Sequence, residues 1–285
     1  MAEPKARDER TRDLLAKLDQ GLAGLKTSDQ WRAWLDDQAK FHRYSFNNVL
    51  LIVSQRPDAS MVAAFHAWKD HGRMVNKGER AIWILAPMVV KAKETDPETG
   101  EQTERPRVVG FKSVPVFDVA QTSGAEVPVP AHPLAGRCAE EQRAALTAYA
   151  QSLGFTVDPA ADLPMGRNGD TSHSLRRIRI SRSLPGAQWI KTTAHEIGHA
   201  ILHGPEYDGD RGTAEVEAES VAYLVCQQLG IDSAEYSFGY ITVWAGKDPE
   251  AARAAVRKAG GRIAKTAETI TKALDQAPAH ELVAA

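Results

Sequence analysis

Cysteine is nearly absent from the 285 residues: only Cys138 and Cys226 occur, and neither sits in a CxxC pair. A disulfide framework and a cysteine-rich zinc site are thereby excluded, and a reducing cytoplasm fits the composition. Long apolar runs are also missing. The longest, Ala81 to Val90, has ten residues, roughly half of what a bilayer-spanning helix needs. The N-terminal MAEPKARDERTRDLLAKL holds basic residues without an apolar stretch, so no secretory signal is expected. Net charge is almost absent as well: 35 basic residues against 37 acidic leave −2. That excludes a uniformly basic DNA coat but leaves room for a local basic patch. No repeat of 20–50 residues is present.

What remains is an ordinary globular composition, 43% hydrophobic and 25% charged, in a chain long enough for two domains. Residues 1–39 alternate charge with Leu14, Leu15, Leu18, Leu22 and Leu25 and read as helix, with WRAWL at 31–35. FHRYSFNNVLLIVS, residues 41–54, reads as a helix that Arg56-Pro57 breaks. AIWILAPMVV (81–90) and VVGFKSVPVFD (108–118) read as strands, and the charged segment between them as an exposed hairpin loop. Residues 121–136 hold three prolines in sixteen positions, and the domain linker is placed there. Beyond it the pattern predicts a helix over 137–153, a strand at GFTVD and a turn followed by an alternating strand in NGDTSHSLRRIRIS. Helices follow at about 188–203, 213–229 and 248–275.

The string TTAHEIGHAILHG, residues 192–204, carries the chemistry. His195 and His199 are four apart, so on a helix both imidazoles leave the same face and can share a metal ion. Glu196 lies one position on, within reach of a water beside the metal, as a general base. Gly204-Pro205 stops the helix, and Glu196 is the one charged residue from Thr192 to Leu202 other than histidine. His203 extends the same face, but eight residues of helix span roughly 12 Å, too far to share the ion with His195. The metzincin pattern fails because Leu202 and Pro205 stand where Gly and His are needed. His203 is therefore read as a supporting or packing residue.

A catalytic zinc takes three protein ligands. The third is sought in GTAEVEAESVAYLVCQQLG, residues 212–230, with Thr213 as the N-cap and Gly230 as the C-cap of a helix. Its apolar face is Ala214, Ala218, Val221, Ala222, Val225 and Leu229. Glu217 points away from that face, while Glu215 and Glu219 flank it on one side, and periodicity does not choose between them. Spacing favours Glu219, twenty residues beyond His199, an interval that resembles gluzincin peptidases. Zinc is the default for a His2Glu set, with manganese or cobalt as alternatives.

In the N-terminal half, residues 40–93 hold nine Lys or Arg against three acids, interleaved with Phe41, Tyr44, Phe46, Phe65, Trp68 and Trp83. Cations with aromatic platforms are what single-stranded nucleic acid needs, although the same aromatics would equally serve as core.

HEIGHAILH with AESVAYLVCQQLGI resembles the peptidase domain of ArdC-type antirestriction proteins and, more distantly, the ImmA/IrrE metallopeptidases. In that resemblance Glu219, before SVAY, is the position expected to bind metal. YSFNNVLLI, AFHAWKDHGRMVNKGER and VFDVAQTSG look like the ArdC N-terminal single-stranded-DNA-binding domain, through Asn48, Phe65, Gly72, Val75, Lys77, Gly78, Glu79 and Arg80. Asn76 and Ala81 depart from it, standing where a basic residue and Gly are common. The resemblance implies an α+β chain: a single-stranded-DNA-binding domain over 1–125, a linker at 126–136 and a zincin-like metallopeptidase domain over 137–285. Its expected metal ligands are His195, His199 and Glu219, with Glu196 catalytic. Arg43, Tyr44, Asn48, Arg73, Lys77 and Arg80 are the candidate DNA contacts, four of them (Arg43, Tyr44, Lys77 and Arg80) chosen for charge and stacking capacity. The implied role is protection of incoming mobile DNA, in the cytoplasm, with single-stranded DNA and a protein substrate as partners and no membrane. The alternatives are an ImmA-like peptidase that cleaves a repressor, and a DNA-binding protein whose metal site is structural.

Overall fold

The computed structural model describes residues 4–95, 102–126, 139–164, 166–231 and 248–276. In chain order the first elements are α1 (Pro4–Gly24), α2 (Ser28–Lys40), α3 (Phe46–Gln55), β1 (Val62–Ala63), α4 (Phe65–Asp70) and β2 (Arg73–Val75). Next come β3 (Ile82–Thr95), β4 (Gln102–Asp118) and β5 (Thr122–Gly124), then α5 (Ala139–Ser152), β6 (Thr156–Ala160), β7 (Gly169–Ser172) and β8 (Arg177–Ser181). The last are α6 (Gly186–Leu202), α7 (Arg211–Gln228) and α8 (Pro249–Gln276). The fold is α+β. Among the described residues no helix is long and apolar enough to cross a membrane. The chain divides into two units, residues 1–22 with 47–127, and 23–46 with 128–285.

The first unit is built on the β3–β4 hairpin, paired antiparallel from Ile82↔Val116 to Thr95↔Gln102 with a bulge after Met88, and β1 adds to β4. Strand pairing therefore runs well into the charged segment read from sequence as a loop. Alternating Lys, Glu and Arg suit a two-stranded ribbon exposed on both faces, so polarity there marks solvent and not a break in the ladder. Leu14, Leu18 and Leu22 of α1 are buried, as are Val49, Leu51 and Ile52 of α3 and Ile82, Ile84 and Leu85 of β3. The outer edge of β3 is closed by side chains of α3. Asn48 Nδ2 donates to the Leu85 carbonyl at 2.9 Å and Leu85 N–H donates back at 3.0 Å. Gln55 repeats the pair two residues along, at Trp83. These amides satisfy backbone groups that an edge strand would leave open. Residues 122–124, expected in the linker, pair with β2 instead, and most of the expected linker, 127–136, lies outside the described residues.

The described residues of the expected 1–39 helix form two helices, α1 and α2, not one. Thr27 interrupts them as an N-cap: its hydroxyl accepts from Gln30 N–H while Gln30 Oε1 accepts from Thr27 N–H. The second of these helices, α2, packs in the second unit. Trp31, Trp34 and Leu35 are buried, Trp31 Nε1 donates to Ser220 Oγ at 2.9 Å, and Gln228 Nε2 of α7 donates to the Ala39 carbonyl at 2.9 Å.

In the second unit β8 is central, parallel to β6 and antiparallel to β7, so among the described residues β7 is an edge strand. Ile178 and Ile180 of β8 are fully buried. Helix α7 is buried on nearly every side, the pattern of a helix with neighbours all round. Its N-cap is Asp210, not Thr213: the Asp210 carboxylate accepts from both the Thr213 N–H and hydroxyl. The C-terminal α8 keeps an apolar stripe, Val256, Ile263 and Ile270 seven residues apart.

Candidate functional site

Helix α6 carries His195, Glu196 and His199, and follows Pro185, whose fixed φ of −65° suits the position before a helix. Helix α7 lies against it in the opposite sense: Lys191 and His195 meet Glu219, and His195 and His199 meet Glu215. The two backbones approach closely where Gly198 faces Ala218. A Cβ on Gly198 would stand 3.2 Å from Ala218 Cα, so the glycine lets the carboxylates of α7 reach the imidazoles.

Three atoms converge. His195 Nε2 and His199 Nε2 are 3.0 Å apart, and Glu215 Oε2 lies 3.4 and 3.5 Å from them. Four-coordinate zinc with ligand bonds of about 2.0–2.1 Å separates neighbouring ligand atoms by about 3.3 Å. His195, His199 and Glu215 are thus the group of the described residues whose ligand atoms suit a metal. Glu219, expected as the third ligand, is placed differently. Its Oε2 accepts from His195 Nδ1 at 3.0 Å, and Lys191 Nζ lies 3.3 Å from its Oε1. It faces the far nitrogen of the imidazole, the position that fixes ring orientation.

The electrostatics follow from this packing. Burial pulls the His195 pKa down, but the Glu215 and Glu219 carboxylates outweigh it and push it up to about 9. Hydrogen bonds from His195 and His199 hold Glu215 far below the usual carboxylate range. The two carboxylates of α7 thus set negative charge beside the imidazoles of α6. Burial pulls the His203 pKa down. Burial also raises that of Glu196, which the sequence placed as the general base.

Glu196 is fixed by β7. Thr171 Oγ1 lies 2.7 Å from Glu196 Oε2 and 3.0 Å from the Glu196 carbonyl. Gly169 leaves the room for that carboxylate, since a Cβ there would come within 2.9 Å of Glu196 Oε1. These groups line a cleft of about 1040 Å³ with Asp170, Arg167 and Arg211 on its walls. Sequence reasoning missed Thr171 and Gly169, because an edge strand of four residues carries no periodic signal.

The candidate DNA contacts separate. Lys77 and Arg80 are exposed and border a cleft of about 740 Å³ in the first unit together with Lys17 and Arg56. Glu79, on the same rim, accepts from Gln121 Nε2 at 2.9 Å. Asn48 is engaged by Leu85, as above. Arg73 donates to Thr122 Oγ1 at 2.7 Å, to the Thr122 carbonyl at 2.9 Å and to the Ala125 carbonyl, clamping β5. Arg43 and Tyr44 fall in the second unit, with Arg43 beside a small cavity that His42, Glu268 and Lys272 also line.

Residues 4–117 match the family described as the N-terminal domain of anti-restriction factor ArdC. An uncharacterized protein of Bacillus anthracis is 27% identical over 278 residues, covering 84% of this chain and 46% of that protein. The chain therefore spans about half the length of this curated relative. Two crystal structures of the antirestriction protein ArdC from plasmid R388 also align. The metal-free one has a TM-score of 0.49 and 19% identity over 80% of this chain and 84% of that one. The Mn(II)-bound one has a TM-score of 0.49 and 16% identity over 86% and 99%. The chain's similarity to the ArdC family is thus carried by residues 4–117.

Proposed function

We propose that this chain binds single-stranded DNA through its first unit and hydrolyses peptide bonds in its second, acting in the cytoplasm to protect incoming mobile DNA from restriction. The observation that carries the hydrolytic half is the convergence of His195 Nε2, His199 Nε2 and Glu215 Oε2 beside a buried, hydrogen-bonded Glu196. His195, His199 and Glu215 would hold the ion, and Glu219 would orient His195. A divalent metal there, zinc by donor type with manganese or cobalt also accommodated, would polarise a peptide carbonyl and make a nearby water more acidic.

The protein's own groups supply the rest. The Glu196 carboxylate takes a proton from the attacking water and returns it to the leaving amine, and burial, by raising its pKa, makes it a stronger base than a free carboxylate. The Thr171 hydroxyl keeps it aimed. The edge of β7 that is unpaired among the described residues offers backbone groups to an extended peptide lying in the cleft.

In the first unit, Lys17, Arg56, Lys77 and Arg80 bring cations to one cleft, suited to phosphates, and the family of residues 4–117 supports DNA as the partner. The hydrolytic half is tested by incubating zinc-loaded protein with a peptide library and reading new termini by mass spectrometry. Glu196→Gln is expected to lose about 10²–10⁴-fold in rate. Cleavage at the wild-type rate would refute that role and favour the structural-metal alternative. For the DNA half, anisotropy of a labelled single strand is titrated with the full chain. Lys77→Glu/Arg80→Glu should weaken binding and reduce the salt slope by about 0.7 per lost phosphate contact. An unchanged affinity would remove this cleft as the interface.

A further inference from the structure

Helix α6 ends on a third imidazole, His203, which is its C-cap. His203 Nδ1 lies 2.8 Å from His199 Nδ1, and His203 Nε2 lies 2.9 Å from Glu217 Oε2. The side chains of His203 and Glu217 are only 7% and 2% exposed. Arg262 of α8 places a guanidinium nitrogen 3.6 Å from the same carboxylate oxygen and donates to the Leu202 carbonyl. The Tyr207 ring packs against His203, with Arg262 stacked over it.

The protons in this chain have one consistent arrangement. Two Nδ1 atoms at 2.8 Å need a single proton between them. An imidazole that presents its Nε2 lone pair to a metal carries its only N–H on Nδ1. His199 Nδ1–H therefore donates, and His203 Nδ1 accepts. The remaining His203 proton then sits on Nε2 and is donated to Glu217. The other tautomer of His203 would set two N–H groups against each other and turn a lone pair toward a buried carboxylate.

We propose that His203 and Glu217 are positioning residues that fix the His199 ring and tautomer through a histidine–histidine–carboxylate relay, with Arg262 as its counter-charge. The proposal rests on the metal reading given above. The two ligand histidines would then be supported in parallel ways. His195 donates directly to Glu219, balanced by Lys191, and His199 reaches Glu217 through His203, balanced by Arg262. Helix α8 would thereby act on the ion without supplying a ligand.

The test uses the full chain and zinc, with affinity read by chelator competition at fixed pH and folding read by thermal unfolding of the metal-free protein. His203→Phe keeps a ring and removes both nitrogens, and should weaken zinc about 10–100-fold. His203→Gln keeps one acceptor and one donor and should recover most of that loss. Adding Glu217→Gln to His203→Phe should weaken zinc no further, because the relay is already cut. A folded His203→Phe protein that binds zinc within twofold of wild type would overturn the relay. Imidazole ¹H–¹⁵N correlations on zinc-loaded wild type need no variant, and His203 protonated at Nδ1 would equally overturn it. Wild type and His199→Ala separate the two ideas. If neither binds zinc, the metal reading falls and the relay with it. If wild type binds, His199→Ala does not and folded His203→Phe is unchanged, only the relay falls.

Discussion

Replacing Gly169 by alanine tests whether β7 sets the position of the base. The glycine has an extended backbone that any residue adopts, so the effect comes from the added methyl alone. That methyl would stand 2.9 Å from Glu196 Oε1, 2.9 Å from Thr192 Cγ2 and 3.0 Å from Glu196 Cγ. Comfortable carbon contacts lie near 3.5–4.0 Å, so each is about 0.5–1 Å too close. The strand has little room to retreat, because Gly169 pairs with Ile180, which is fully buried. The softest response is rotation of the Glu196 side chain away from Thr171. Overpacking of this kind costs about 1–3 kcal/mol, and the flexible carboxylate places the value near the lower end. That lowers Tm by about 2–4 °C for a unit of this size. A displacement near 1 Å at the base lowers the hydrolytic rate about 10²-fold. His195, His199 and Glu215 are untouched, so zinc affinity should hold. Thermal unfolding, chelator competition and peptide cleavage together measure all three. Cleavage within twofold of wild type at a lowered Tm would refute the argument. A joint loss of cleavage and zinc affinity would mean that α6 moved as a whole.

Other expectations follow from the packing. Asn48→Ala removes both bonds to Leu85 and should destabilise by about 1–3 kcal/mol in denaturant titration. Single-stranded DNA affinity should be unchanged below the transition, and a tenfold loss there would make Asn48 a contact. A fragment of residues 1–125 carries α2 without α7 and exposes Trp31, Trp34 and Leu35, each of which contributes about 1.5–3 kcal/mol by burial. It should self-associate in size-exclusion chromatography, and a monomeric fragment binding a hydrophobic dye no more than the full chain does would contradict this. Asp170 is held below the usual carboxylate range chiefly by its hydrogen bond from Arg179. Its contribution is present above the ordinary carboxylate pKa and is lost as pH falls through the lowered one. The stability gap between wild type and Asp170→Asn should therefore narrow as pH falls below the ordinary carboxylate range in acid unfolding, and a constant gap would count against the pairing.

Helices α6, α7 and α8 lie within two residues of their expected bounds, whereas α3 starts at Phe46, five residues after the expected Phe41. Thr27 was not read as a break, because its capping role depends on a reciprocal partner, Gln30, that periodicity does not reveal. The reach of β3 and β4 was missed because polar composition says where solvent is, and both faces of a ribbon can be wet. At the candidate site, HExxH pointed to His195, Glu196 and His199, and the structure places all three on one helix lining one cleft. Periodicity could not separate Glu215 from Glu219. It ranks residues around a helix axis, whereas the distinction lies along it, in how far α7 has slid past α6 at Gly198 and Ala218. Asn48 shows the converse, since a motif position can be explained by two backbone groups of the next strand.

The interruption of the second unit by residues 47–127 has a kinetic consequence. The bonds from Trp31 to Ser220 and from Gln228 to Ala39 each join residues 189 positions apart. At ribosomal rates of 5–20 residues per second, α2 waits roughly 10–40 s for α7 to be made. The intervening segment, with its hairpin of near neighbours, is complete long before then and can close first, since local contacts form faster than distant ones. The helix synthesised among the first is thus among the last to dock. Through that interval a nascent chain presents the WRAWL surface to whatever holds unfinished polypeptides, and slowing translation between residues 127 and 211 would prolong its exposure.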